Sequence, residues 1–431
     1  MTNEQSRREL RQPDRPSGSR PVRHGRLRSA GPVAVLLRII GIAVAIVVVA
    51  GGSVAGIAIW QVASSVKPGV HLTDKNGNAI APPPNVGAIE GGVNLLLVGT
   101  DTRADQAGFT DSADLAASSG AGNNDVTMLM HISADHTNAT VVSFPRDLIV
   151  PMPSCPRSNG TSASATTTSM FNTSLSRGGL NCVVLAVEGM TGVTIPYAAE
   201  ITFDGVIGMS DAVGGVTVCL ADKIVDGHVG LDLPAGSNTL VGAQALAFVR
   251  TRYGVADGSD IGRISNQQIF LSALARKLSS GNVLSNPVQL YSIAKTAASN
   301  MTLSDGLTNP TTMVSIALAL KNIGLGNISF VQYPTVSDPA QPGRVIPVQS
   351  AASILNAALV ADKPVQLSGT LGRAAVLDPN TTVAPTPTPT PTPTKTAGKA
   401  KTKTTPSPTP SPVLLPSTIT GQTAEQQTCS N

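Results

Sequence analysis

The sequence predicts an α/β fold: a three-layer α-β-α domain with a mixed central sheet, preceded by one transmembrane helix. Three observations predict it. Short apolar runs bounded by turn residues alternate with runs of helical period between residues 93 and 380. An uncharged stretch of 22 residues, Ile39–Trp60, comes before them, long enough to cross a bilayer as a helix. A Pro/Thr-rich stretch follows, of a composition that cannot build a core.

Taken in order, residues 1–38 hold nine arginines against three acids and are broken by prolines, so they read as a basic, disordered cytoplasmic tail. The arginine excess before Ile39–Trp60 puts the N-terminus inside and everything after residue 60 outside a cell membrane crossed once. A cleaved signal peptide is the rival reading; the apolar run is long for one. Residues 61–92, with Pro82, Pro83 and Pro84, read as an extracellular spacer. Residues 93–380 read as the catalytic domain with C-terminal helices, and 381–431 as a disordered Pro/Thr tail.

Within the domain, 94–101 (NLLLVGTD), 126–133 (VTMLMHIS) and 139–147 (ATVVSFPRD) supply strands. The polar loop 102–124 has no apolar period. Helices are expected over 182–192, 286–299 and 310–322, with a last strand at NISFVQYPT and a terminal helix at QSAASILNAAL. Four cysteines outside the membrane suggest disulfides. Cys155 lies in a polar loop and Cys182 opens an apolar helix, so Cys155–Cys182 is the first pairing expected. Cys219–Cys429 would follow by default, although Cys219 equally fits a small buried strand residue.

The stretch 248–278 gathers Arg250, Arg252, Arg263, Asp260, Gln267 and Gln268. Arg263 and Gln267 are four apart on an expected helix and share a face. Guanidinium forks converging near a helix start suit a phosphate or pyrophosphate, although the same residues fit a solvated Arg–Asp network. Asp101 and Arg103 follow the first strand, Asp125 precedes the second, and Arg146 and Asp147 follow the third. Ligands of open α/β sheets bind near strand carboxyl ends. Asp101 and Arg146 meet that rule; Asp125 joins them only with an antiparallel neighbour. Two carboxylates beside phosphate-binding arginines suit Mg²⁺ or Mn²⁺, although either acid alone also fits a turn or cap. The folded middle is net acidic, which is not the profile of a nucleic-acid binder. No GxSxG, HExxH or P-loop pattern occurs, and His131 reads as structural.

The ordered segments NLLLVGTDTR, NNDVTMLMHIS, VVSFPRDLIV, FNTSLSRGG, ITFDGVIGMSDAVGGVTVCL, LPAGSNTLVGAQALAFVRTR and DGSDIGRISNQQIFL resemble the LytR-CpsA-Psr family over about residues 93–280. The resemblance implies a membrane-anchored phosphotransferase that moves a glycopolymer from a polyprenyl-pyrophosphate carrier to peptidoglycan and releases polyprenyl phosphate. Carried over, Asp101 and Asp125 would hold Mg²⁺, and Arg103, Arg146, Arg250, Arg252, Arg263 and Gln267 would bind the pyrophosphate. Asp125 or Asp147 would serve as base. A non-catalytic wall-binding or regulatory protein and a pyrophosphate hydrolase are the alternative functions. The chain departs from the family pattern at Met170, where Arg177 would replace a missing basic contact, at Asn266, and in the long loop between Asp101 and Asp125. A Pro/Thr stretch stands where some relatives carry a second domain.

Overall fold

Near-continuous apolar runs make strands that can be covered on both faces, and this chain builds its main sheet from them. A computed structural model describes residues 31–80, 92–104, 106, 122–157, 159–280, 283, 286–380 and 411–431. The chain divides into two units, Met1–Ile57 and Ala58–Asn431.

Helix α1 runs Pro32–Ser65, longer at both ends than the expected Ile39–Trp60. Its stretch Val35–Ser53 is long and apolar enough to cross a membrane, and its large side chains, such as Val48 and Val49, are exposed. The basic tail before it lies outside the described residues.

The strands of the two larger sheets of the folded unit are β1 (Val93–Thr100), β2 (Asn124–Ile132), β3 (Ala139–Phe144), β4 (Tyr197–Ile201), β5 (Val216–Leu220), β6 (Gly236–Leu240), β7 (Met301–Leu303), β8 (Ile328–Gln332), β9 (Ala375–Leu377), β10 (Gly421–Thr423) and β11 (Thr428–Ser430). Its helices are α2 (Ser174–Thr191), α3 (Phe203–Ala212), α4 (Ala243–Arg250), α5 (Asp260–Ser279), α6 (Pro287–Asn300), α7 (Pro310–Asn322) and α8 (Gln349–Val360). The main sheet has the order β7-β4-β1-β2-β3-β8-β10. It is mixed: β1–β4 and β3–β8 are parallel, while β1–β2, β2–β3, β4–β7 and β8–β10 are antiparallel.

Alternation along β1 sends Leu96 and Val98 to one face, where Val183 and Val187 of α2 and Leu355 of α8 cover them. Val93 and Leu95 point to the other face, toward Ile316 of α7 and Leu271 of α5. The expected three layers follow. A smaller sheet, β6-β5-β11-β9, packs against α4 and α5 around Val216, Phe248 and Ile269.

Both cysteine pairs form, Cys155–Cys182 and Cys219–Cys429. The first needs a bare backbone beside it: a Cβ on Gly178 would lie 2.7 Å from Cys155 Cβ. Helix α2 kinks at Gly178–Gly179, which lets it begin eight residues before the expected Cys182.

Two boundaries expected from sequence are corrected. The spacer 61–92 is not detached from the domain: Leu72 is buried in the core, Val70 bridges to Ser304, and the Thr73 amide donates to Asn181 at 3.0 Å. Residues 81–91, with their prolines, lie outside the described residues. The disordered tail 381–431 is also too long a reading. Residues 381–410 lie outside the described residues, but 411–431 returns as β10 and β11, one in each sheet. Its small apolar set explains this: Leu415, Ile419, Ala424 and Cys429 are all buried.

Candidate active site

Antiparallel pairing of β2 with both β1 and β3 brings the end of β1, the start of β2 and the end of β3 to one edge of the sheet. β4 runs parallel to β1 and ends there too, Gly99 facing Ile201. Asp125 thereby gains the antiparallel neighbours it required. Asp101, Arg146 and Phe203 follow strand ends at this edge, and Asp125 is the second residue of β2.

Asp101 is aimed by its return loop. Its Oδ1 accepts the Asn123 amide at 2.5 Å and its Oδ2 accepts Asn123 Nδ2 at 2.9 Å. Gly122 makes the turn at φ 78°, and a Cβ there would lie 2.3 Å from Thr100 Oγ1 and 3.0 Å from Asp101 Oδ1. The rest of the loop falls mostly outside the described residues.

Asp125 sits between two arginines. Arg146 Nη1 donates to its Oδ1 at 2.7 Å, Arg263 Nη1 lies 3.6 Å from its Oδ2, and Arg263 Nη2 donates to its carbonyl at 2.6 Å. Helix α5 starts with Ser259 as N-cap, which puts Asp260 and Arg263 in its first turn. Asp260 Oδ1 lies 2.6 Å from Arg263 Nη2, and its Oδ2 accepts the Arg146 amide at 3.1 Å. Asp260 therefore orients Arg263 and Arg146. Gln267, one turn on, donates to the Val249 carbonyl at 3.1 Å.

Arg250 stacks over the Phe203 ring at 4.2 Å. Burial first, then the nearby Arg103 and Arg263, hold its pKa below the usual arginine value, against the pull of Asp125 and Asp101. These four charged groups thus lie within electrostatic reach of Arg250. Arg146 shows the opposite balance. Burial pulls its pKa down, but Asp125, Asp260 and Asp147 together raise it above the usual value.

Arg252 stands to one side. Its Nη2 is 3.9 Å from Asp147 Oδ2, while Arg344 Nη1 binds Asp147 Oδ1 at 2.6 Å. Asp147 is thus held by Arg344 as Asp125 is by Arg146, but of the two only Asp125 lines the cavity described below. Arg177 does not join the cluster: its Nη2 donates to the Ser164 carbonyl in the disulfide loop. The Asn266 position is also explained, because its Oδ1 accepts Ser430 Oγ at 2.5 Å from the returning segment.

Six arginines (103, 146, 250, 252, 263 and 344) face four carboxylates (101, 125, 147 and 260), an excess of positive charge. The Nε atoms of Arg146, Arg252 and Arg263 are buried and have no hydrogen-bond partner among the described residues. Such an arrangement favours a polyanion. Behind it lies a cavity of about 360 Å³. Asp125, Arg250, Arg263 and Gln267 line its polar part. Leu97, Met128, Ile201, Phe203, Val206 and Met209 are among its apolar walls.

Sequence reasoning missed Gly122, Asn123, Asp226 and Arg344. Asp226, 2% exposed, accepts Thr251 Oγ1 at 2.6 Å and the amides of Arg252 and Tyr253 at 3.2 Å, so it shapes the arginine loop. An acid followed by Gly227 and Gly230 signals only a turn. Arg344 meets Asp147 across 197 residues, which no local pattern reveals.

The LytR_cpsA_psr family model matches residues 64–356. The chain belongs to the LytR_cpsA_psr family. Among its relatives, the cell wall biosynthesis protein LcpA of Corynebacterium glutamicum is 30% identical over 270 residues, 58% of this chain and 51% of that protein. The polyisoprenyl-teichoic acid–peptidoglycan teichoic acid transferase TagU of Bacillus mycoides is 28% identical over 272 residues, 62% of this chain and 78% of that one. The chain spans about half the length of LcpA. A LytR-Csp2A-Psr enzyme from Actinomyces oris has the same fold, with a TM-score of 0.50 at 21% identity, covering 68% of this chain and 96% of that chain.

Proposed function

We propose that this member of the family is a membrane-anchored phosphotransferase. It moves a glycopolymer from a polyprenyl-pyrophosphate carrier to peptidoglycan and releases polyprenyl phosphate. One observation carries the reading: an apolar cavity whose polar part includes Arg250, Arg263, Gln267 and Asp125. A prenyl chain suits the apolar walls and a pyrophosphate suits the arginines. The names of LcpA and TagU support the same reading. The arginine-rich segment before α1 supports a cytoplasmic N-terminus and an extracellular domain.

An acceptor hydroxyl oxygen attacks the sugar-proximal phosphorus. The phosphoanhydride bond breaks, polyprenyl phosphate leaves with the bond's electron pair, and the hydroxyl proton passes to Asp125. Arg146, Arg250 and Arg263 bind the pyrophosphate and neutralise the charge that grows on the leaving phosphate. Arg103 adds positive charge at the Asp101 side, and Arg252 at the Asp147 side. Apolar walls keep water from the anhydride.

The donor set also fits Mg²⁺ or Mn²⁺. Asn123 takes one lone-pair site on each Asp101 oxygen and leaves others open, and Asp125 offers a second hard oxygen group. When bound, the ion would add positive charge at the pyrophosphate.

The test uses the full chain in detergent with a prenyl-pyrophosphate-linked glycan, Mg²⁺ and peptidoglycan. Wild type should release polyprenyl phosphate and attach glycan covalently, and Arg250→Ala should slow this by about 10²–10³-fold. Product release by Arg250→Ala and Arg263→Ala at the wild-type rate would sink the assignment. Release without glycan attachment would mark a hydrolase instead.

A further inference from the structure

Most described aromatic residues of the folded unit are interior. Phe144, Phe171, Phe203, Phe248, Phe270 and Phe330 are buried, as are Tyr197 and Tyr333. Tyr253 is instead 68% exposed, as is Trp60 on α1 at 69%, and it directly follows Arg252 in the loop between Arg250 and Asp260. Its ring leans on that of His228, centroids 4.5 Å apart and planes inclined by 43°. His228 lies on the turn of the hairpin that pairs Ile224–Asp226 with Leu231–Leu233.

One carboxylate fixes this pair to Arg252. Asp226 Oδ2 accepts the amides of both Arg252 and Tyr253 at 3.2 Å, and Oδ1 accepts the His228 amide at 3.0 Å. Thr251 Oγ1 adds a fourth bond at 2.6 Å. Burial opposes the charge on Asp226, but these four donors hold its pKa below the usual carboxylate value. The ring therefore stands on a braced backbone, with one face supported by imidazole and much of its surface open. Consecutive Cα atoms are about 3.8 Å apart, so the ring begins beside an arginine whose Nη2 is already near Asp147.

A rigid, exposed aromatic face with a polar tip suits an amphipathic ring that carries C–H bonds on one face and hydroxyls at its rim. A sugar is that kind of ring, and a sugar is bonded to the phosphorus on which the proposed reaction acts. We propose that Tyr253, backed by His228, is a sugar-stacking platform next to the anion site. This rests on the glycan-transfer reading. Two sources of sugar meet the chemistry: the donor's first sugar and the acceptor glycan strand.

The experiment measures binding by the full chain in detergent to three probes. They are a short-prenyl pyrophosphate bearing N-acetylglucosamine, the same lipid without sugar, and peptide-free peptidoglycan glycan fragments. Tyr253→Ala should bind a sugar-bearing probe about tenfold more weakly, while Tyr253→Trp should retain it. Binding of the sugarless lipid should be unchanged in both variants. A loss confined to the glycosylated lipid assigns the platform to the donor, and a loss on glycan fragments assigns it to the acceptor; either supports the proposal. Equal weakening on the sugarless lipid would mean that the ring only braces the arginine loop, and overturns it. Unchanged binding of both sugar-bearing probes, or no binding of either by wild type, also overturns it. If wild type holds glycan fragments through Tyr253 but no prenyl pyrophosphate, the platform stands and the carrier reading falls.

Discussion

Replacing Asp260 by alanine removes the close counter-ion of Arg263 and the acceptor of the Arg146 amide. Both side chains of the pair are 5% exposed, and their charged atoms are 2.6 Å apart. Loss of one partner of a buried pair typically costs about 3–5 kcal/mol, because the other charge stays behind without compensation. Asp260→Ala should fall near the lower end, about 3 kcal/mol, since Arg263 keeps Asp125 at 3.6 Å and the Asp125 carbonyl at 2.6 Å. Arg263→Ala should fall higher, about 4–5 kcal/mol, because Asp260 then keeps only the Arg146 amide and a guanidinium nitrogen at 3.9 Å. The double replacement removes both charges, so it should cost about 2–3 kcal/mol less than the sum of the single changes. Urea unfolding of the full chain, followed by far-ultraviolet circular dichroism, measures all three. Strict additivity, within about 0.5 kcal/mol, would refute the view that Asp260 exists to hold Arg263 in place.

The Cys219–Cys429 bridge closes a sequence separation of 210 residues and ties the returning segment to the sheet under α5. Cys219→Ser with Cys429→Ser should cost about 2–4 kcal/mol; an unchanged urea midpoint for wild type in reductant would contradict this. Met209→Trp narrows the apolar cavity and should lower kcat/KM for a long-prenyl substrate by about tenfold or more while sparing a short-prenyl one; equal loss on both would place the chain elsewhere. Burial lifts Glu200 to about 7, with Lys67 pulling the other way. Its folded pKa is raised, so its contribution to stability is full below the ordinary value of 4.5 and is lost as pH rises through about 7. Glu200→Gln should therefore flatten the fall in stability across that window, and melting temperatures from pH 4 to pH 8 that decline equally in both proteins would count against it.

The strands and helices of the main sheet were legible because their apolar periods are local: NLLLVGT and TMLMHI need no partner to read as strands. The returning segment 411–431 was not, because its strands are at most three residues long, and β10 and β11 become strands by pairing with β8 and β5. Its burial also depends on the disulfide, which closes over more than half of the folded unit's length.

At the site, sequence alone named most of the charged groups and the chemical class they suit. Arg146, Arg250, Arg263 and Gln267, set against Asp101 and Asp125, are residue types that bind a phosphate and a hard cation, and their spacing placed most of them at strand ends or on one helix face. Tertiary structure decided which charges answer which. Strand order put Asp125 at the same edge as Asp101 and Arg146. The hairpin of residues 335–347 brought Arg344 to Asp147. Asp226 bound the arginine loop, Tyr253 and His228 into one unit. Ion pairs and hydrogen bonds are made over a few ångströms of space, whatever the separation along the chain, so a sequence can name the charged groups while only the fold assigns their partners.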